Sequence, residues 1–219
     1  MSEVKKELGK LFENEAEQDV LRRLFASSHH PVPVADGETL EVDEEPWVRG
    51  GGETYIMPFS VRNSEGESVR CLFKACVTFT PEASVNEWMQ RRSALEGRGV
   101  QTPQVLGQGP GLILEEYVPY TFEEGYQRFG DEVLSKAARY FGSVASLGFK
   151  PVTHGIMRDL RVDEDKGVHM IDFGSDLGAP NAEPTDLWDT FVKDASVQLG
   201  LSAEDLQAYR DDYEAGLTM

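Results

Sequence analysis

From Trp47 to Val118 the apolar residues fall in short β-branched and aromatic runs punctuated by glycine, whereas from Pro119 onward they recur mostly at the 3.6-residue spacing of a helix. Strands first and helices second predict an α+β fold, since alternating βαβ units would interleave the two periods. "PWVRGGGETYIMPFSVRN" predicts two strands around a glycine triplet, and "SEGES" turns the chain into a third, "VRCLFKACVTF". "ASVNEWMQRRSALEGRGV" follows as a helix, with Val85, Trp88, Met89 and Leu95 on or near one face and Gly97 and Gly99 closing it. "QVLGQGPGLILEEYV" supplies two more strands. The expectation is a five-stranded antiparallel sheet with one helix after its third strand.

Beyond Pro119, "DEVLSKAARYFGSVASLGF", "LWDTFVKDASVQLGL" and "SAEDLQAYRDDYEAGL" predict helices, the last capped by Ser202 with Asp205 in its first turn. Between them "LRVD" and "VHMID" form a small hairpin around "EDKG". Ahead of the strands, Val4, Leu8, Leu11, Phe12, Leu21, Leu24 and Phe25 have helical spacing, and "SSHHPVPVADGE" reads as a connector. Three segments result: a helical extension over 1–35, a β-rich part over 36–118 and a helical part over 119–219. Adjacent His29 and His30, with no cysteine or further histidine nearby, read as solvated loop residues rather than metal ligands.

Thirty-nine acidic against twenty-one basic side chains give a formal net charge of −18. Such a field repels nucleic acid and anionic membranes, and a nucleotide would need a metal to offset it locally. Cys71 and Cys76 are five apart in a strand, so they point to opposite faces and cannot bridge each other there. No run approaches the roughly eighteen apolar residues of a membrane span. These features predict a cytoplasmic protein with reduced thiols.

The element order, and four motifs placed along it, resemble the protein-kinase-like superfamily, including the small RIO-like and aminoglycoside-phosphotransferase-like kinases. Lys74 sits mid-strand in "CLFKACV", where burying an ammonium requires an anionic partner. The resemblance implies that it meets nucleotide phosphates, with Glu87 of the following helix as its partner. Gly50, Gly51 and Gly52 lie where the family has its phosphate-covering loop, although they do not spell G-x-G-x-x-G. Glu116 and Val118 end the fifth strand, where the family offers backbone groups to an adenine. Asp172 opens "DFG" directly after the hairpin, and Asp159 begins that hairpin thirteen residues earlier. Two carboxylates at the ends of one hairpin suit Mg²⁺.

One position departs from the pattern. Five residues before Asp159, where the family has its catalytic aspartate, stands His154. A histidine can act as a general base near neutral pH, though it lacks the permanent negative charge. An alternative register reads "RDLR" as the catalytic segment, with Asp159 as the base. The resemblance thus implies a two-lobed kinase-like fold with a reduced helical C-lobe. It implies ATP and Mg²⁺ as cofactors, and a phosphotransferase acting on a protein serine or threonine or on a small hydroxyl compound. The alternative is a pseudokinase that binds nucleotide or a partner protein without transfer.

Overall fold

The computed structural model describes residues 41–44, 48–49, 53–150, 156–174, 177–178 and 186–219. The 1–35 extension, Gly50 to Gly52 and His154 therefore lie outside the described residues. The chain is α+β with antiparallel sheets and divides into two compact units. The first comprises the chain through Glu87 with Pro103–Tyr117; the second comprises Trp88–Thr102 with Val118–Met219.

The first unit is built on a long hairpin, β3 (Thr54–Arg62) and β4 (Ser68–Cys76). Its turn is "NSEGE": the Glu67 N–H donates to Asn63 Oδ1 at 2.8 Å, and the chain reverses through Gly66 at φ +84°. β6 (Leu112–Glu116) pairs with β4, and β5 (Val105–Gly109) pairs with β6. β1 (Glu41–Glu44) and β2 (Val48–Arg49) both pair with β3, so the sheet has six strands among the described residues rather than the expected five. The additional strand is β1. Its sequence, Glu-Val-Asp-Glu, holds a single apolar residue, so no alternation marks it, and backbone pairing with β3 makes it a strand.

Alternation along these strands sorts the side chains into two faces. Met57, Phe59, Val61, Val69, Cys71, Phe73, Ala75, Leu112 and Leu114 are buried on one face, with Phe59 and Phe73 stacked at 4.8 Å. Each large side chain removed from water this way contributes about 1.5–3 kcal/mol. Cys71 lies on this face and Cys76 on the other, both as free thiols, and burial pushes the Cys71 thiol far above its ordinary range. The β5–β6 connection depends on Gly111, at φ +75°, where a β-carbon would come within 2.7 Å of Pro81 Cβ. Pro81 begins α1 (Pro81–Glu96), whose buried residues Val85, Trp88, Arg92 and Leu95 keep helical spacing; Met89, expected near that stripe, is half-buried at its margin.

The second unit is centred on α3 (Asp131–Ser146), apolar along a broad stripe from Val133 to Ala145. It packs against α6 (Arg210–Thr218) through two glycines. A β-carbon at Gly142 would lie 2.1 Å from the Tyr213 carbonyl oxygen, and one at Gly216 2.0 Å from that of Arg139. α4 (Trp188–Leu199) adds Phe191, edge-on to Phe141 at 5.3 Å, and ends at Gly200 in the left-handed conformation. The segment expected as one C-terminal helix is divided into α5 (Ala203–Leu206), a 3₁₀ turn (Gln207–Tyr209) and α6. Ser202 caps α5 as expected, in a reciprocal box with Asp205.

A three-stranded sheet, β7 (Tyr120–Thr121), β8 (Leu160–Val162) and β9 (Val168–Met170), completes the unit. The β8–β9 hairpin is the one read from the sequence. β7 and α2 (Phe122–Phe129) were not anticipated, and the Thr121–Glu124 capping box that starts α2 is their local signal. Among the described residues no helix is long and apolar enough to cross a membrane.

Candidate functional site

Lys74 lies on the less apolar face of the first unit's sheet. It stands opposite Ile56 on β3 and Ile113 on β6. Its ammonium forms an ion pair with Glu115, one diagonal step along β6. Both are buried, at 9% and 2% exposure. A mid-strand lysine that cannot reach water requires a carboxylate, and the neighbouring strand supplies one. Glu87, the partner expected from the family pattern, is exposed on α1, away from the stripe of Val85, Trp88, Arg92 and Leu95.

Glu115 is the residue that motif matching passed over. Its signal was present in "LILEE": a strand alternates sides, so of two adjacent glutamates one had to face the Lys74 side and the other the apolar side. Glu116 takes the apolar side, opposite Cys71 and buried. Its N–H donates to the Gln104 carbonyl at 3.0 Å, which commits that donor within the unit. Val118 is also buried.

In the second unit the residues that carry the expected carboxylates flank the open end of one hairpin. A 3₁₀ turn (Ile156–Asp159) runs straight into β8, and the Ile171 N–H donates to the Asp159 carbonyl at 2.8 Å, one step beyond the Leu160–Met170 pair. Asp159 therefore directly precedes β8 and Asp172 follows β9 by two residues at the same open end of the hairpin, both half-buried. The opposite end is locked by Asp163. It accepts the N–H groups of Asp165 (2.9 Å) and Gly167 (2.6 Å) and pairs with buried His169 at 2.7 Å.

The Asp172-Phe173-Gly174 segment is held at several points. The Gly174 N–H donates to Asp172 Oδ1 at 2.8 Å, which turns the chain directly after the carboxylate. Phe173 is buried, with the Arg92 guanidinium 6.0 Å from its ring centre. Arg91 Nη1 donates to the carbonyls of Phe173 (3.2 Å) and Gly174. Neither arginine was singled out from the sequence. Arg92 shares the helical spacing of Trp88 and Leu95, the one available sign that it turns inward.

Asp194 of α4, also unanticipated, accepts the Met157 N–H at 3.4 Å and so anchors the turn that carries Asp159. Asp186 stands just ahead of α4: its Oδ1 accepts the Trp188 N–H at 2.9 Å and the Tyr213 hydroxyl at 3.0 Å. The Trp188 N–H chiefly, with the Tyr213 hydroxyl, holds this exposed carboxyl below its ordinary range. Its part is therefore structural. Asp189 is exposed in the first turn of α4. Asp176 lies outside the described residues.

Among the described residues no three or more His, Cys, Asp or Glu side chains gather as a metal cage would require. Structural zinc and all-protein calcium sites need such a cage; Mg²⁺ usually takes one or two carboxylates and completes its shell with water and phosphate oxygens. No protein-family model matches the chain, and no curated protein matches it in sequence.

Proposed function

We propose that the chain is a small kinase-like phosphotransferase that uses Mg·ATP, with a two-lobed arrangement in which the first unit corresponds to the N-lobe and the second to a reduced C-lobe. The observation that carries this reading is the β8–β9 hairpin, whose open end is flanked by Asp159 before β8 and Asp172 after β9, while Arg91 and Asp172 itself shape the Asp-Phe-Gly turn. Hard carboxylate oxygens in pairs fit Mg²⁺, and a net charge of −18 makes a metal necessary for triphosphate binding. Bound there, the ion would offset phosphate charge.

In this reading Asp159 and Asp172 hold the metal and Lys74 offers its ammonium to the phosphates. Gly50, Gly51 and Gly52 supply backbone N–H groups, and the Glu116 carbonyl and Val118 N–H are assigned to an adenine edge. Glu87 positions Lys74 from α1, alongside the Glu115 carboxylate of β6 that pairs with the ammonium. Phosphoryl transfer relies on positioning and charge neutralisation, so such a set can work without an ideal base. The acceptor is a protein hydroxyl or a small alcohol, and His154 is the base.

The test is equilibrium binding of ATP with and without Mg²⁺, on the wild-type chain and on Asp172→Asn. Appreciable binding is expected only with the metal, and the substitution is expected to weaken it at least tenfold. Equal affinity without the metal overturns the reading.

The second reading is a pseudokinase, favoured by His154 at the catalytic aspartate's position. His154→Asp separates the two, because general-base help is typically worth about 10²–10⁴-fold. A pseudokinase gains ATP turnover from the change, whereas an enzyme using His154 loses it. If only Asp159→Asn abolishes turnover, Asp159 is the base of the "RDLR" register.

A further inference from the structure

We propose that Glu115 is the positioning residue for Lys74 and, through it, sets how tightly this face of the sheet holds a phosphate anion. The inference rests on the phosphotransferase reading above, and concerns a residue that neither the motifs nor the family pattern single out.

Three observations support it. The strand register puts Lys74 and Glu115 on the same face, with Lys74 opposite Ile113 and Leu72 opposite Glu115, so the pair is fixed by backbone pairing on both sides. Its surroundings are apolar: Ile56 and Ile113 flank the lysine, and Leu72 flanks the glutamate. Both side chains are largely buried, at 11% and 3% exposure, which leaves water little part in screening them.

An ammonium in this setting has its charge matched inside the sheet before any ligand arrives. An incoming phosphate therefore meets a nearly neutral pair, and the carboxylate repels it at close range. The same carboxylate fixes where the ammonium points. Glu115 thereby exchanges affinity for a defined lysine position, and it disfavours a bare polyphosphate relative to one whose charge a metal has already reduced.

Four full-length chains test this: wild type, Glu115→Gln, Lys74→Met and the double variant, each titrated with inorganic tripolyphosphate and with Mg·ATP at low and high salt. Glutamine keeps the size and an acceptor oxygen but removes the charge. Removing a unit charge a few ångströms from the anion is expected to tighten tripolyphosphate binding about tenfold at low salt. The gain is expected to shrink with salt and to vanish in the double variant. Simple structural damage would only weaken binding, so a gain that depends on Lys74 is specific to this role.

Unchanged or weaker tripolyphosphate binding by Glu115→Gln, with Lys74→Met still weakening Mg·ATP, overturns the inference and leaves the phosphotransferase reading standing. Absence of Mg·ATP binding to wild type and to Glu115→Gln alike overturns both. If the glutamine chain does not fold, Glu115→Asp, which draws the carboxylate back by one methylene, is expected to tighten tripolyphosphate binding about threefold by loosening the pair. No change there also overturns the inference.

Discussion

At the residue scale, the Lys74–Glu115 pair puts a high-energy requirement on the sheet. Breaking a buried pair by removing one partner leaves an uncompensated charge, at a cost of about 3–5 kcal/mol, whereas replacing both by apolar residues of similar size is often neutral or stabilising. Glu115→Leu and Lys74→Met are each expected to lower stability by that order, and the double variant to recover most of it. Urea melts of the four chains check this, and additive losses would refute the coupling. Asp172→Asn is a contrasting case. Its Oδ1 can still accept the Gly174 N–H, so the variant is expected to melt within about 0.5 kcal/mol of wild type while it loses Mg²⁺-dependent ATP binding.

At the element scale, α3 and α6 approach so closely that only glycine fits at the crossing. Gly216→Ala places a methyl group against the Arg139 carbonyl oxygen, and Gly142→Ala places one against that of Tyr213. Both contacts involve backbone, which cannot step aside as a flexible side chain would. Each substitution is expected to cost at least about 1–3 kcal/mol, read as a lower urea midpoint, despite alanine's better helix propensity.

The Asp186 carboxylate ahead of α4 gives a pH test. Its folded carboxyl titrates below the ordinary 3.8, so its contribution is complete above that value and is lost as the pH falls through the folded value. The wild-type advantage over Asp186→Ala, about 0.5–1.5 kcal/mol near neutrality as for an ordinary hydrogen bond, is therefore expected to decline steadily below about pH 4 in thermal melts. An advantage that grows on acidification would reverse the assignment.

At the scale of the whole molecule, each unit carries its own part of the proposed chemistry. The first holds the cation, rigidly paired in a sheet; the second holds the carboxylates, at the end of a hairpin locked by Asp163 and His169. A net charge of −18 bears on ligand binding as a whole. Raising ionic strength screens that field, so binding of uncomplexed ATP is expected to improve with salt while Mg·ATP binding changes less. Titrations from low to physiological salt measure the two slopes, and a steeper loss for uncomplexed ATP would contradict this expectation.

The sequence by itself determined the order of the main strands and helices, the β8–β9 hairpin with its "EDKG" turn and the Ser202 cap, because each is written in local periodicity or turn chemistry. It also placed Asp159 and Asp172 at the two ends of that hairpin, since register follows from a short turn. Strand β1 has no side-chain pattern of its own and exists through pairing with β3. The partner of Lys74 lies 41 residues away, on a strand whose neighbour only the sheet order reveals. Arg91, Arg92 and Asp194 likewise act across long stretches of chain, on backbone and side chains that no local pattern connects to them. Tertiary structure alone decided these, because a charge buried by folding takes whichever opposite group or carbonyl the packing brings within reach, irrespective of sequence distance.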